Sequence, residues 1–161
     1  MTILVEVQDE ELIAQFTMTS EAPHAETQDL HPQIPRVEPR ELADALRNTE
    51  TKRPLIIDVR EAGTGGFIRG AVNVPKPDFD DEEKVEALIA KIKDEQEIVF
   101  HCQHSQQRGP TAAYQFLARL EKQLGDGERK PNVKVLRGGF HQFSQEFGQE
   151  ESLVDQSPLG Q

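Results

Sequence analysis

Apolar residues along this chain fall into short runs and helical stripes joined by polar stretches. Near the N-terminus, Ile3, Val5 and Val7 alternate as in a strand, while Leu12, Ile13 and Phe16 are spaced as on a helix, and the pattern leaves both readings open. From Thr19 to Pro35 the composition shifts to Ser, Pro, His, Thr and Gln with almost no apolar content, which predicts a linker or disordered stretch. The folded domain is expected to begin near Ile34.

Pro39 can open a helix through PRELADALRN, with Leu42, Ala45 and Leu46 on one face. LIIDV at 55–59 is short, apolar and β-branched, which suits a strand buried on both faces of a parallel sheet. A Gly-rich connection at 63–70 follows. Val85, Leu88, Ile89 and Ile92 then mark an amphipathic helix over 81–93, with Asp80 and Asp81 near its start. Ile98 to His101 reads as a second buried strand, and a helix from about Gly109 carries Ala113, Phe116, Leu117 and Leu120 on one face. Val133 to Leu136 is a third strand, ended by Gly138 and Gly139, and a last helix aligns Phe140, Phe143 and Phe147. This alternation predicts an α/β domain with a mostly parallel central sheet flanked by helices. The expected organisation is an N-terminal extension and linker at 1–33, a catalytic domain at 34–148 and a loose polar tail at 149–161.

Composition narrows the function. The chain has 161 residues, the size of one compact domain, and its 18 Lys and Arg against 29 Asp and Glu give a formal charge of −11. That charge argues against nucleic acid or an anionic membrane as partner, because both draw affinity from neutralised phosphates. A site for an anionic substrate must therefore create its own positive field. The single cysteine, Cys102, excludes an internal disulfide and a cysteine-cluster metal site, and fits a reducing compartment. The acidic start MTILVEVQDEELIAQF lacks the pattern of a signal peptide, and no segment approaches the ~20 apolar residues that span a bilayer. A cytoplasmic location is expected, with the nucleus open to a chain of this size. His24, His31 and His141 show no metal-ligand spacing.

The chemistry concentrates in HCQHSQQRGP at 101–110. Ligands of open parallel sheets bind beyond the carboxyl ends of the strands, and Cys102 directly follows the strand IVFH. A tight strand-to-helix loop lets backbone N–H groups converge at the positive end of the next helix, a cradle for tetrahedral oxyanions. The same field, with an Arg beside it, favours the thiolate that acts as nucleophile. Arg108 can return across the loop and present a planar fork to two substrate oxygens. Gly109 lets loop and helix pass closely, and Pro110 fits the first helical turn.

With DVRE at 58–61, FIRGAVNVP at 67–75, the cysteine loop and VLRGGF at 135–140 in this order, the chain resembles the rhodanese-homology family across about residues 36–147. Phe67 stands where many of these domains have His. Sulfur-transferring rhodaneses usually hold four residues in the loop, whereas M-phase inducer phosphatases and eukaryotic arsenate reductases hold five. Here five intervene, Gln103, His104, Ser105, Gln106 and Gln107, and the wider ring of N–H donors suits a tetrahedral oxyanion.

The resemblance implies a cysteine-dependent, protein-tyrosine-phosphatase-like enzyme in which Cys102 attacks phosphorus to give a cysteinyl-phosphate. The five loop residues and Arg108 would bind the phosphoryl oxygens of a phosphorylated protein or small phosphomonoester, with no metal or cofactor. Ser105 would hydrogen-bond the thiolate or satisfy a neighbouring backbone group. Gln103 stands where some of these phosphatases have a Glu acid, which leaves His104, Glu61, Asp78 and Asp80 as candidate proton donors. Arsenate reduction is the alternative, and with one cysteine it would need an external thiol such as glutathione. Thiosulfate sulfurtransfer and a noncatalytic rhodanese module are the other readings. His101 would tune the thiolate or hydrogen-bond within the core, and Asp58 and Arg60 would pair to brace the loop after their strand.

Overall fold

A computed structural model of the chain describes residues 29–125 and 127–160. The strand-or-helix question at 1–18 and most of the expected linker lie outside the described residues.

The chain builds β1 (Arg36–Val37), α1 (Pro39–Arg47), β2 (Leu55–Asp58), β3 (Gly65–Ile68), β4 (Val72–Asn73) and a 3₁₀ turn (Lys76–Asp80). There follow α2 (Glu82–Ile92), β5 (Glu97–His101), α3 (Arg108–Gln123), β6 (Asn132–Leu136), α4 (Gly139–Phe147) and β7 (Val154–Pro158). Five strands make one parallel sheet in the order β1-β6-β5-β2-β4. The predicted α/β class, its strands and its helices are all present.

Period-two alternation explains why apolar runs became central strands. In β5, Ile98 and Phe100 face the core shared with α2 and α3, while Val99 faces the core shared with α1 and α4. Ile57 and Ile56 of β2 divide in the same way, as do Val135 and Leu136 at the end of β6. Asp81 opens α2 by accepting from the backbone N–H groups of Glu83 and Lys84, which satisfies amides that have no partner in the first turn. The α1 stripe is slightly rotated from expectation, burying Leu42 and Ala43 and leaving Ala45 half-buried.

Two expectations are corrected. The Gly-rich connection contains β3, and the residues assigned to a loose tail contain β7, which pairs with β3 antiparallel as a separate ribbon. Leu153, Val154 and Leu159 are buried beside this ribbon, so the folded unit runs on past Gly148. The polar exterior of VDQSP hid these anchors. A third correction lies at the other end, where residues 29–35 are not free linker. Arg36 donates to the carbonyls of Leu30, His31 and Ile34 at 2.6, 3.0 and 2.8 Å, and His31 stacks on Tyr114 at 4.2 Å. Among the described residues no helix is long and apolar enough to cross a membrane.

The topology places the site. From β2 the chain moves outward to β4, then returns to lay β5 on the other side of β2. The crevice at such a reversal lies beyond the carboxyl ends of the two strands. Asp58 and His101 are paired neighbours at those ends, and Cys102 is the next residue.

Candidate active site

Cys102 is buried, and its Sγ accepts two backbone N–H groups, from Ser105 at 3.2 Å and Gly109 at 3.3 Å. Oriented amides of this kind favour negative charge at sulfur. Ser105 reaches this position with φ of +57°, a left-handed conformation that turns its amide inward. Its hydroxyl accepts from the Cys102 N–H at 3.4 Å. The amide of Ser105, rather than its hydroxyl, faces the Cys102 sulfur.

Two glycines let helices close on the loop. A Cβ on Gly109 would lie 3.2 Å from the Cys102 nitrogen and the His101 Cα, so a larger residue would push α3 away from the sulfur. Gly139 has φ of +63°, and a Cβ there would sit 2.6 Å from the Cys102 carbonyl oxygen and closer still to that of Gln103. The first amides of α4 use this proximity. Phe140 N–H donates to the Cys102 carbonyl at 3.0 Å and His141 N–H to the Gln103 carbonyl at 2.8 Å. Phe140, the last residue of VLRGGF, and His141 after it thereby hold the Cys102 and Gln103 carbonyls in place.

Beneath the loop lies a buried charged network. Arg60 holds Asp58 through Nη2 to Oδ2 at 2.8 Å and Nε to Oδ1 at 3.0 Å, bearing out the expected pair. It also reaches the Gly66 carbonyl at 2.8 Å and the Gln103 Oε1 at 3.1 Å, with its guanidinium 4.4 Å from the Phe140 ring centre. Burial opposes charge on Asp58, but the attraction of His101 when that ring is protonated and the Arg60 guanidinium outweigh it and hold the carboxyl below its ordinary range. For His101 burial dominates over the attraction of Asp58, and the imidazole is pulled below its ordinary value. Its Nδ1 lies 2.9 Å from the Cys102 carbonyl, which only accepts, so the neutral ring carries its proton there. Nε2 then faces the Asp58 Oδ2 at 3.5 Å and has no hydrogen-bond partner among the described residues.

The remaining predicted residues divide. Gln103 is committed to Arg60 by its side chain and to His141 by its carbonyl. His104, Ser105, Gln106 and Gln107 line a cleft of about 740 Å³ above the loop. Arg108 opens α3 with an exposed side chain that makes no hydrogen bond or ion pair among the described residues. Of the candidate proton donors, His104 is in this cleft, 4.8 Å from the His141 ring. Asp78 and Asp80 instead pair with Lys84 and Lys76. Sequence reasoning passed over Arg36 and Arg137, which line the same cleft, although Arg137 stands inside the VLRGGF landmark.

The sequence pattern of the rhodanese-like domain matches residues 38–146. A dual specificity phosphatase, Cdc25, of Arabidopsis thaliana is 39% identical over 88 residues, which span 53% of this chain and only 58% of that protein. The dual specificity phosphatase ibp1 of Schizosaccharomyces pombe is 27% identical over 129 residues, 70% of this chain and 92% of the relative. Among solved structures, a yeast protein tyrosine phosphatase of the rhodanese family superposes with a TM-score of 0.65 at 27% identity, covering 77% of this chain and 94% of that one. The As-Sb reductase of Leishmania major gives 0.61 at 28% identity, covering 74% and 84%.

Proposed function

We propose that this chain, which belongs to the rhodanese-like domain family, is a cysteine-dependent phosphatase acting through a cysteinyl-phosphate intermediate. The observation that carries the reading is the pair of backbone N–H groups aimed at the Cys102 sulfur, inside a loop with five residues between Cys102 and Arg108. The Cys102 thiolate attacks phosphorus in line, the S–P bond forms, and the bond to the leaving oxygen breaks with its electron pair going to that oxygen. Loop amides and the Arg108 fork take the equatorial oxygens, where charge is spread in the transition state. His104, at the rim of the cleft, gives the leaving oxygen its proton. Water then attacks phosphorus, and phosphate departs as the thiolate is restored. The phosphatase names among the relatives support a phosphorylated protein or a small phosphomonoester as substrate.

Likeness to the Leishmania reductase favours one second reading, arsenate reduction with external glutathione after the same first attack. The deciding assay presents purified protein and its Cys102→Ser variant with aryl phosphate, with arsenate plus glutathione, and with thiosulfate plus cyanide. Phosphate release that disappears in the variant is the expected result. Rapid thiocyanate formation without phosphate release would overturn the assignment.

A further inference from the structure

The cleft that His104, Ser105, Gln106 and Gln107 line beside the Cys102 loop is also walled by two arginines, Arg36 and Arg137. Arg137 sits two residues before Gly139, at the start of the segment whose Phe140 and His141 amides are tied to the Cys102 loop. Its Nε donates to Glu38 at 3.0 Å, and its two terminal nitrogens straddle the carboxylate of Asp29, each at 3.4 Å. Arg36 faces the same carboxylate from the other side at 3.9 Å, with its own side chain only 5% exposed. Burial pulls the Arg36 guanidinium below its ordinary value, Asp29 opposing and Arg137 adding to the pull. The two cations therefore feel one another across Asp29.

Two guanidiniums around one carboxylate, in the cavity that His104, Ser105, Gln106 and Gln107 also line, form an anion site already filled by an anion of the chain itself. The grip is slack. Charge-assisted N–H···O contacts settle at about 2.7–2.9 Å, and all three contacts to Asp29 are longer, while Glu38 is held closely. Three Arg36 nitrogen–oxygen bonds go to backbone carbonyls, which fix the guanidinium without neutralising it. Removal of Asp29 would expose net positive charge in a protein whose formal charge is −11.

We propose that Arg36 and Arg137 form a second anion subsite beside the Cys102 loop. Asp29 fills it in the free protein, and an acidic side chain neighbouring the phosphorylated residue of a protein substrate takes its place. This rests on the phosphatase reading above and adds to it a substrate class, phosphopeptides with Asp or Glu beside the phosphorylated residue. Asp29 is then a tethered competitor that tempers the preference for acidic flanks, because each such substrate must displace it.

The test uses the full chain and two phosphotyrosine peptides identical except for Asp or Lys at the flanking positions, with p-nitrophenyl phosphate as reference. The wild type should prefer the acidic peptide in kcat/KM by about tenfold at low salt. Arg137→Glu should reverse the preference toward the lysine peptide, and Asp29→Asn should raise the ratio of acidic to lysine peptide several-fold. A purely structural ion pair would alter stability in both variants and leave the ratio where it was. If Arg137→Glu fails to fold, the ratio in Asp29→Asn decides alone. Hydrolysis of p-nitrophenyl phosphate with a peptide ratio unmoved by the substitutions overturns the subsite only. No hydrolysis of p-nitrophenyl phosphate by the wild type overturns the phosphatase reading and the subsite with it.

Discussion

Asp58 has no exposed surface, and a carboxylate taken from water survives as a charge only if something close replaces the lost solvation. Arg60 does so with three of its nitrogen–oxygen contacts, then uses its remaining donors on Gly66 and Gln103. One side chain thus ties the end of β2 to the β3 ribbon and to the residue after Cys102. Replacing Arg60 by Met keeps much of the volume over Phe140 but leaves the carboxylate without a cation, held only by the backbone N–H of residue 60, and should lower stability by about 3–5 kcal/mol in urea unfolding. Adding Asp58→Asn to that variant should restore a large part of the loss, because the stranded charge is gone. A double variant as unstable as the single would show that Arg60 acts through its contact with Phe140 instead. The DVRE string revealed the Asp58 and Arg60 pair because both partners lie in one short segment. The reach of Arg60 to Gln103 crosses between strands, and no local pattern records it.

Among the elements, the most legible were those whose burial repeats at a fixed period. β5 and α3 announced themselves through IVF and through Ala113, Phe116 and Leu120, and together they delivered Cys102 to its place. β3 and β7 did not. Glycines interrupt β3, β7 buries only its first residue fully, and the two strands pair from far apart in the chain. Arg36 and Arg137 escaped for the same reason, since their meeting point at Asp29 is set by the packing of β1 beside β6. The role of α4 was half visible: VLRGGF was a landmark, but that its amides bind the loop carbonyls is a matter of geometry alone. Gly139→Ala tests that role. The new Cβ would meet the Cys102 and Gln103 carbonyls in a backbone conformation unfavourable to L side chains, at a cost of roughly 1–3 kcal/mol. The loop must shift to admit it, so kcat on aryl phosphate should fall by at least about tenfold, the equivalent of ~1.4 kcal/mol in the barrier. Unchanged kcat in a folded Gly139→Ala protein would mean that α4 supports the fold without setting the loop.

The whole molecule inherits a pH dependence from the groups sealed beneath its site. His101 is neutral in the folded chain because burial lowers its affinity for protons below the ordinary value of 6.5. Between that value and the lower folded one, the unfolded chain binds a proton that the folded chain refuses, so acidification favours unfolding. The stability from this group is complete above 6.5 and declines as pH falls below it, by at most ~1.4 kcal/mol per pH unit for one proton. Asp58 acts later with the same sign. Its carboxyl is held below the ordinary 3.8, so its contribution persists above that value and is lost as pH falls through the folded one. Urea midpoints measured from pH 8 to 3 should therefore hold level, begin to fall near 6.5 and steepen below about 3.8. A proton shared between His101 and Asp58 in the folded state would give a different curve, level or rising from 6.5 down to 5. That curve would place an imidazolium against the Cys102 carbonyl. A neutral ring leaves the amides of Ser105 and Gly109 as the positive field at the Cys102 sulfur, so the unfolding curve also reports whether an imidazolium adds to it.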